Sequence, residues 1–169
     1  MPKPGTDTYP PYFFTYIKLV EENDIKKAMA AQTKMMQDFF NSVPPEKYDY
    51  KYAEEKWSLK ECLQHIIDTE RVFTYRALAF ARRDIHILPS FDEKSYADTS
   101  NGSRREWSDL VNELIAVRKS TEYLFNSFSQ EQLDSMGKAS DYSMSANAMG
   151  YTIVGHVAHH INIIKERYL

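Results

Sequence analysis

Apolar residues recur along this chain at the spacing of helices. Between Asp24 and Phe40 they fall at Ile25, Ala28, Met29, Met35, Met36 and Phe39, a three-and-four rhythm that lines one helical face. Pro44-Pro45 closes the segment, because proline lacks the N–H that another turn would need. A second segment opens at Trp57-Ser58-Leu59-Lys60-Glu61. Ser58 suits an N-cap, and Glu61 stands where a capping box requires an acidic partner. Leu59, Cys62, Ile66, Phe73, Ala77 and Phe80 then share one side, which predicts a helix to about Arg83. A third pattern, with Trp107, Leu110, Leu114, Val117, Thr121 and Leu124, predicts a helix from Arg104 to Phe128. The fourth begins near Ser143 or Ser145 and runs almost to Tyr168-Leu169, with Met149, Ile153, Val157 and Ile164 on one broad face.

Four amphipathic helices of similar length hide their stripes only by packing together, so the expected fold is an all-α four-helix bundle. The polar stretch from Asp84 to Ser103, with Pro89 and Asn101-Gly102, is longer than the usual helix connection of about 2–8 residues. It is expected to cross the bundle or line a site, and the pattern leaves both a crossover and an up-down topology open. Four of the seven prolines lie in residues 1–11, which read as an irregular arm. The bundle domain is then expected over residues 12–169, beginning with an aromatic stretch from Tyr12 to Val20 that forms a helical turn or two.

Composition narrows the function. Five glycines are few for β-hairpins, and a net charge of −3 offers no footprint for a phosphate backbone. Arg82-Arg83 and Arg104-Arg105 are too small for one, so no nucleic acid partner is expected. Cys62 is the single cysteine, which excludes an internal disulfide and suits a reducing compartment. No run reaches the ~18 apolar residues of a membrane span, and the start of the chain lacks the apolar core of a signal peptide. A cytoplasmic protein without membrane contact is the expectation.

The chemistry lies in the histidines. Of five, three crowd into Gly155-His156-Val157-Ala158-His159-His160, and His65 lies on the second helix beside Cys62, Ile66 and Thr69. Residues four apart on a helix share a face, so His156 and His160 can share a metal ion. His156 can also pair with His159, three residues on. At ~100° per residue, His160 turns about 40° from His156 towards the apolar face, whereas His159 turns about 60° the other way. The inward pair is therefore His156 with His160, and His159 belongs at the rim. Single inward histidines are commonly hydrogen-bonded core residues, and a His-x-x-x-His pair is often incidental. Val157 stands where the zinc proteases carry their glutamate, which argues against that chemistry.

Two segments carry a resemblance. Trp57-Ser58-Leu59-Lys60-Glu61 with His65 and Asp68-Thr69-Glu70-Arg71 resembles the second helix of the DinB-like proteins. Gly155 to His160, continuing through Lys165-Glu166-Arg167-Tyr168-Leu169, resembles their last helix, and Tyr75-Arg76-Ala77-Leu78 and Phe91-Asp92-Glu93 extend the likeness. The resemblance implies a four-helix bundle whose metal ligands are His65, His156 and His160. It also implies a chemistry, because the family includes metal-dependent thiol S-transferases and a thiol-dependent isomerase.

Three protein ligands leave a coordination position open, the arrangement of catalytic rather than structural zinc sites. The expected function is transfer of a low-molecular-weight thiol to a small electrophile, with one divalent metal ion per chain, zinc or nickel. Metal-dependent hydrolysis is the neighbouring alternative. A metal-stabilised binding or homodimerisation module without turnover is another, since Phe13, Phe14 and Tyr16 suit an interface. Asp68, Glu70 and Tyr75 are near enough to His65 to orient its ring, and equally suited to a solvated surface. Cys62 is either a fourth ligand or a small core residue. Protons are expected to compete with the metal between about pH 7 and 5, around the free imidazole pKa of about 6.5.

Overall fold

A computed structural model describes residues 2–169. It contains four long helices: α2 (Ile25–Asn41), α3 (Leu59–Ala81), α5 (Trp107–Ser127) and α7 (Ala146–Arg167). Three shorter ones, α1 (Phe14–Ile17), α4 (Glu93–Thr99) and α6 (Gln130–Asp134), and a hairpin of β1 (Met136–Ala139) and β2 (Tyr142–Ser145), surround them. The long helices start where their capping residues dictate. Asp24 accepts from the Lys26 and Lys27 amides, and Ser145 from the Ala148 amide. At α3 the Ser58 hydroxyl accepts from the Glu61 amide at 3.3 Å while the Ser58 amide donates to the Glu61 carboxylate at 2.6 Å. The capping box thus satisfies two backbone donors at that end.

In the bundle, α2 packs against α5 and α7, and α3 packs against the same two helices. The first two long helices therefore stand at opposite corners, and the segment joining them crosses an end of the bundle. Along each helix the core is interrupted at one level. Met29, Phe73, Phe125 and Met149 belong to one buried apolar cluster, and Met36, Ile66, Leu114 and Val157 to another. Between them lies a polar layer. Fully buried Arg118 of α5 donates to both carboxylate oxygens of Glu70 on α3, at 2.7 and 2.9 Å, and to the Gln32 side chain on α2 at 2.7 Å. Gln32 in turn donates to the backbone carbonyl of Val154 on α7 at 2.8 Å. One ion pair with its hydrogen bonds thus joins all four helices.

Several expectations need correction. The stretch from Asp84 to Ser103 is not a plain loop. Asp92 caps α4 within it by accepting from the Lys94 and Ser95 amides, and Gly102–Arg104 form a 3-10 turn. That turn, followed by extended Arg105 and Glu106, delays the third long helix to Trp107. On α2, Phe40 rather than Phe39 is fully buried, and Met35 is exposed although it falls on the apolar rhythm. Glu70 is bound to Arg118 and Tyr75 is exposed, so neither orients His65. The pattern along the chain gives no sign of the hairpin. Its β2 strand alternates in polarity, but β1 (Met-Gly-Lys-Ala) does not, and Ser140 takes the left-handed turn position, φ 52°, where glycine or asparagine is the usual signal. Residues of the arm reach α7, where the Ser145 amide donates to the Thr8 carbonyl at 2.9 Å and the Asn147 side chain to the Pro2 carbonyl at 3.2 Å. No helix among the described residues is long and apolar enough to cross a membrane.

Candidate metal centre

His65 projects from the second turn of α3, and His156 and His160 from consecutive turns of the facing α7. Their rings meet at the α3–α7 contact. The Nε2 atoms of His65 and His156 lie 3.2 Å apart, and those of His160 and His156 3.1 Å apart. Three ring nitrogens therefore converge on one point between two helices. A tetrahedral ion at ~2.1 Å from each nitrogen would space them about 3.4 Å apart, so the donor set fits a single divalent cation. The other ring nitrogens suit that assignment. With an ion on the Nε2 atoms, the proton of each ring would reside on Nδ1. In His65 this places the donor 3.5 Å from the Thr69 hydroxyl, and in His160 3.6 Å from the Cys62 sulfur. Cys62 thus lies behind a candidate ligand, on the side away from the cluster.

Burial sets the charge state. His65 is lowered to about 4 and His160 to about 3, both chiefly by desolvation, and His156 is lowered well below the ordinary value by desolvation and then by its histidine neighbours. The rings are neutral, as ligation requires. Desolvation alone pushes the Cys62 thiol up to about 12, so it stays protonated. His159 stacks edge-on against Tyr16 at 5.4 Å and is not part of the converging set, as its place on the helical wheel predicts.

Gly155 explains how the N-terminal segment reaches the site. A Cβ there would stand 2.2 Å from the carbonyl oxygen of Tyr16. Without one, α1 lies directly on α7, and the Tyr16 ring packs edge-on against His156 at 5.5 Å. Burial raises the Tyr16 hydroxyl above its ordinary pKa, assisted by its bond to Tyr12, so it remains a donor. From the other side Trp57 covers His65 at 4.7 Å between ring centres. None of these aromatics was legible as a site residue, because an aromatic in a helical stripe reads first as core.

Two clefts flank the cluster. One, of about 210 Å³, exposes His65 and His156 and is walled by α1, α3, the segment before α4, and the hairpin turn; Tyr16, Thr69, Phe73, Arg76 and Tyr142 line it. The other, of about 390 Å³, reaches His160 beside Trp57, Cys62 and Tyr168. Glu93, the first residue of α4, lines both.

The arrangement of four long helices with this cluster defines a class, the bundle proteins with a three-histidine centre on their second and last long helices. The DinB superfamily profile matches residues 28–164, and the chain belongs to that family. Among solved structures it resembles YfiT from Bacillus subtilis, described as a probable metal-dependent hydrolase with an unusual four-helix bundle topology. The TM-score is 0.70 at 15% identity, covering 97% of this chain and 90% of that one. It also resembles a mycothiol-dependent maleylpyruvate isomerase, with TM-score 0.68 at 10% identity, covering 82% of this chain and 58% of that one. At such identities the likeness concerns the fold. No curated protein matches the chain.

Proposed function

We propose that this protein is a metal-dependent enzyme that transfers a low-molecular-weight thiol to a small electrophile, with one zinc or nickel ion held by His65, His156 and His160. The observation that carries the reading is the convergence of three neutral Nε2 atoms where two separate clefts meet. A bound divalent ion would supply a Lewis acid able to lower the pKa of a coordinated thiol or water. The chain's own residues fix the geometry. Thr69 and Cys62 stand where the Nδ1 protons of His65 and His160 would point, Trp57 and Tyr16 pack their rings against His65 and His156, and Glu93 is a carboxylate within reach of both clefts. Two clefts suit two substrates. Hydrolysis, the second reading, needs one organic substrate and water, and is favoured by the description of YfiT. A purely structural metal would have no use for an open face on either side.

The test has two stages. Purified without added metal, the wild type should carry one ion per chain by elemental analysis. His65→Ala and His160→Ala should lose it, and His159→Ala should keep it. Full occupancy in His160→Ala would refute the three-histidine centre. Metal-loaded protein should then turn over in a screen of low-molecular-weight thiols against small electrophiles. Turnover of esters or amides without thiol would install the hydrolase reading instead, and no turnover at all would leave a binding module.

A further inference from the structure

Arg76 is a buried cation without an anion. It is 5% exposed, yet none of the arginine ion pairs among the described residues involves it. The contrast is with Arg118, buried deeper in the bundle, whose charge is matched by both oxygens of Glu70. The Arg76 guanidinium donates to two neutral acceptors, the Tyr142 hydroxyl at 2.7 Å and the Pro89 carbonyl at 2.8 Å. Those bonds occupy two of its five N–H donors and orient the group over the Phe73 and Tyr142 rings, but no carboxylate pairs with its charge. A buried charge is costly unless it is paired.

Its position gives that charge a use. His65, Thr69, Phe73 and Arg76 follow one another at helical spacing along α3 and all line the same cleft. Phe73 stands between the cluster and the arginine, its ring 6.1 Å from that of His156 and 5.8 Å from the guanidinium carbon. Phe13 and Phe91 complete apolar walls around it. The Tyr142 hydroxyl accepts from Arg76, so its own proton is free to donate. Burial raises its pKa against the opposing pull of Arg76, so that proton is retained. Glu93 and Asp141 also line this cleft, but both are exposed, where water screens them from the buried guanidinium.

We propose that Arg76, with the Tyr142 hydroxyl, binds the carboxylate of a small organic acid whose apolar body lies along Phe73 and Phe91 and whose reacting end points to the three histidines. A planar monoanion matches the guanidinium fork and neutralises it one for one. A dianionic phosphate would carry surplus charge towards Glu93 and Asp141. The cleft's 210 Å³ is below the roughly 300–1,000 Å³ of pockets for drug-sized ligands, so the acid is small. The catalytic use of this anion rests on the thiol-transfer reading, whereas its binding does not.

Titration calorimetry with benzoate and 3-phenylpropionate, each against its neutral amide, tests the assignment on the full chain with and without zinc. In wild type at least one acid should bind about tenfold or more tighter than its amide, the scale of a charge-assisted contact. Arg76→Gln should erase that preference, Arg76→Lys should restore part of it, and Tyr142→Phe should reduce it. His160→Ala should retain the preference while losing metal, which separates this site from the metal reading. Equal binding of acid and amide by wild type, no binding of either acid, or an unchanged preference in Arg76→Gln would overturn the proposal. The first two readouts need no variant, so a poorly folded Arg76→Gln would not shelter it.

Discussion

At the scale of single residues, the site depends on which groups the fold removes from water. An isolated imidazole titrates near 6.5, and a metal site of exposed histidines would fail between about pH 7 and 5. Burial changes this window, because His65 and His160 in the folded chain take up protons only near 4 and 3. Proton competition at the folded site therefore begins below pH 5, lower than the sequence suggests. The cost appears in stability. Unfolded histidines protonate near 6.5 while the folded ones do not, so the unfolded state binds more protons throughout the interval between. Stability of the metal-free protein should fall as pH drops from about 6.5 towards 4. Chemical unfolding of the metal-free chain across pH 7.5 to 4.5 should show this decline. Elemental analysis after dialysis at pH 5 should still find metal on folded wild type. A flat stability profile would mean that the histidines are better solvated than their packing implies.

At the scale of elements, the approach of α1 to α7 carries the consequences. Glycine inside a helix costs roughly 1 kcal/mol relative to alanine, and Gly155 lies within α7. By propensity alone Gly155→Ala should stabilise the protein. The predicted outcome is the reverse, because the new methyl would meet backbone rather than a flexible side chain. The variant should melt at a lower temperature, with altered near-ultraviolet dichroism from Tyr16 and its neighbours. A higher melting temperature with unchanged dichroism would show that α1 does not rest on α7. Ser58 and Glu61 marked the start of α3 because their interaction is local. The periodic pattern extends three residues ahead of the true start of α5 at Trp107, through helix-compatible sequence. Arg105 is held outside the helix by Gln64 of α3, at 2.7 Å, and by Glu113, and only the Glu113 contact is near in sequence.

At the scale of the whole molecule, the polar layer fixes how the four helices register. Glu70 and Arg118 are 48 residues apart in sequence and fully buried together. A buried ion pair contributes little net stability compared with an apolar replacement, but removing one partner strands the other charge. Glu70→Ala should therefore cost about 3–5 kcal/mol in urea unfolding. Joint replacement of Glu70 and Arg118 by apolar residues should recover much of that loss. If Glu70→Ala proves nearly neutral, the pair is not desolvated as packed. Because Gln32 links Arg118 to the Val154 carbonyl, two residues before His156, the single variant should also loosen the α7 turn that carries the histidines.

The amino-acid order alone carries the helical stripes, the capped start of α3 and the inward pairing of His156 with His160, because each depends on residues a few positions apart. It also carried His65 as a candidate, since that position adjoins an apolar stripe. The assembled fold was needed to set α2 and α3 at opposite corners and Arg118 in the core facing Glu70. It alone brought Tyr16, Arg76 and Tyr142 to the same cleft. These last depend on contacts between distant segments, where an arginine is indistinguishable from a solvated one until its partners are known. Charge and burial are properties of the assembled bundle, whereas periodicity is a property of the chain.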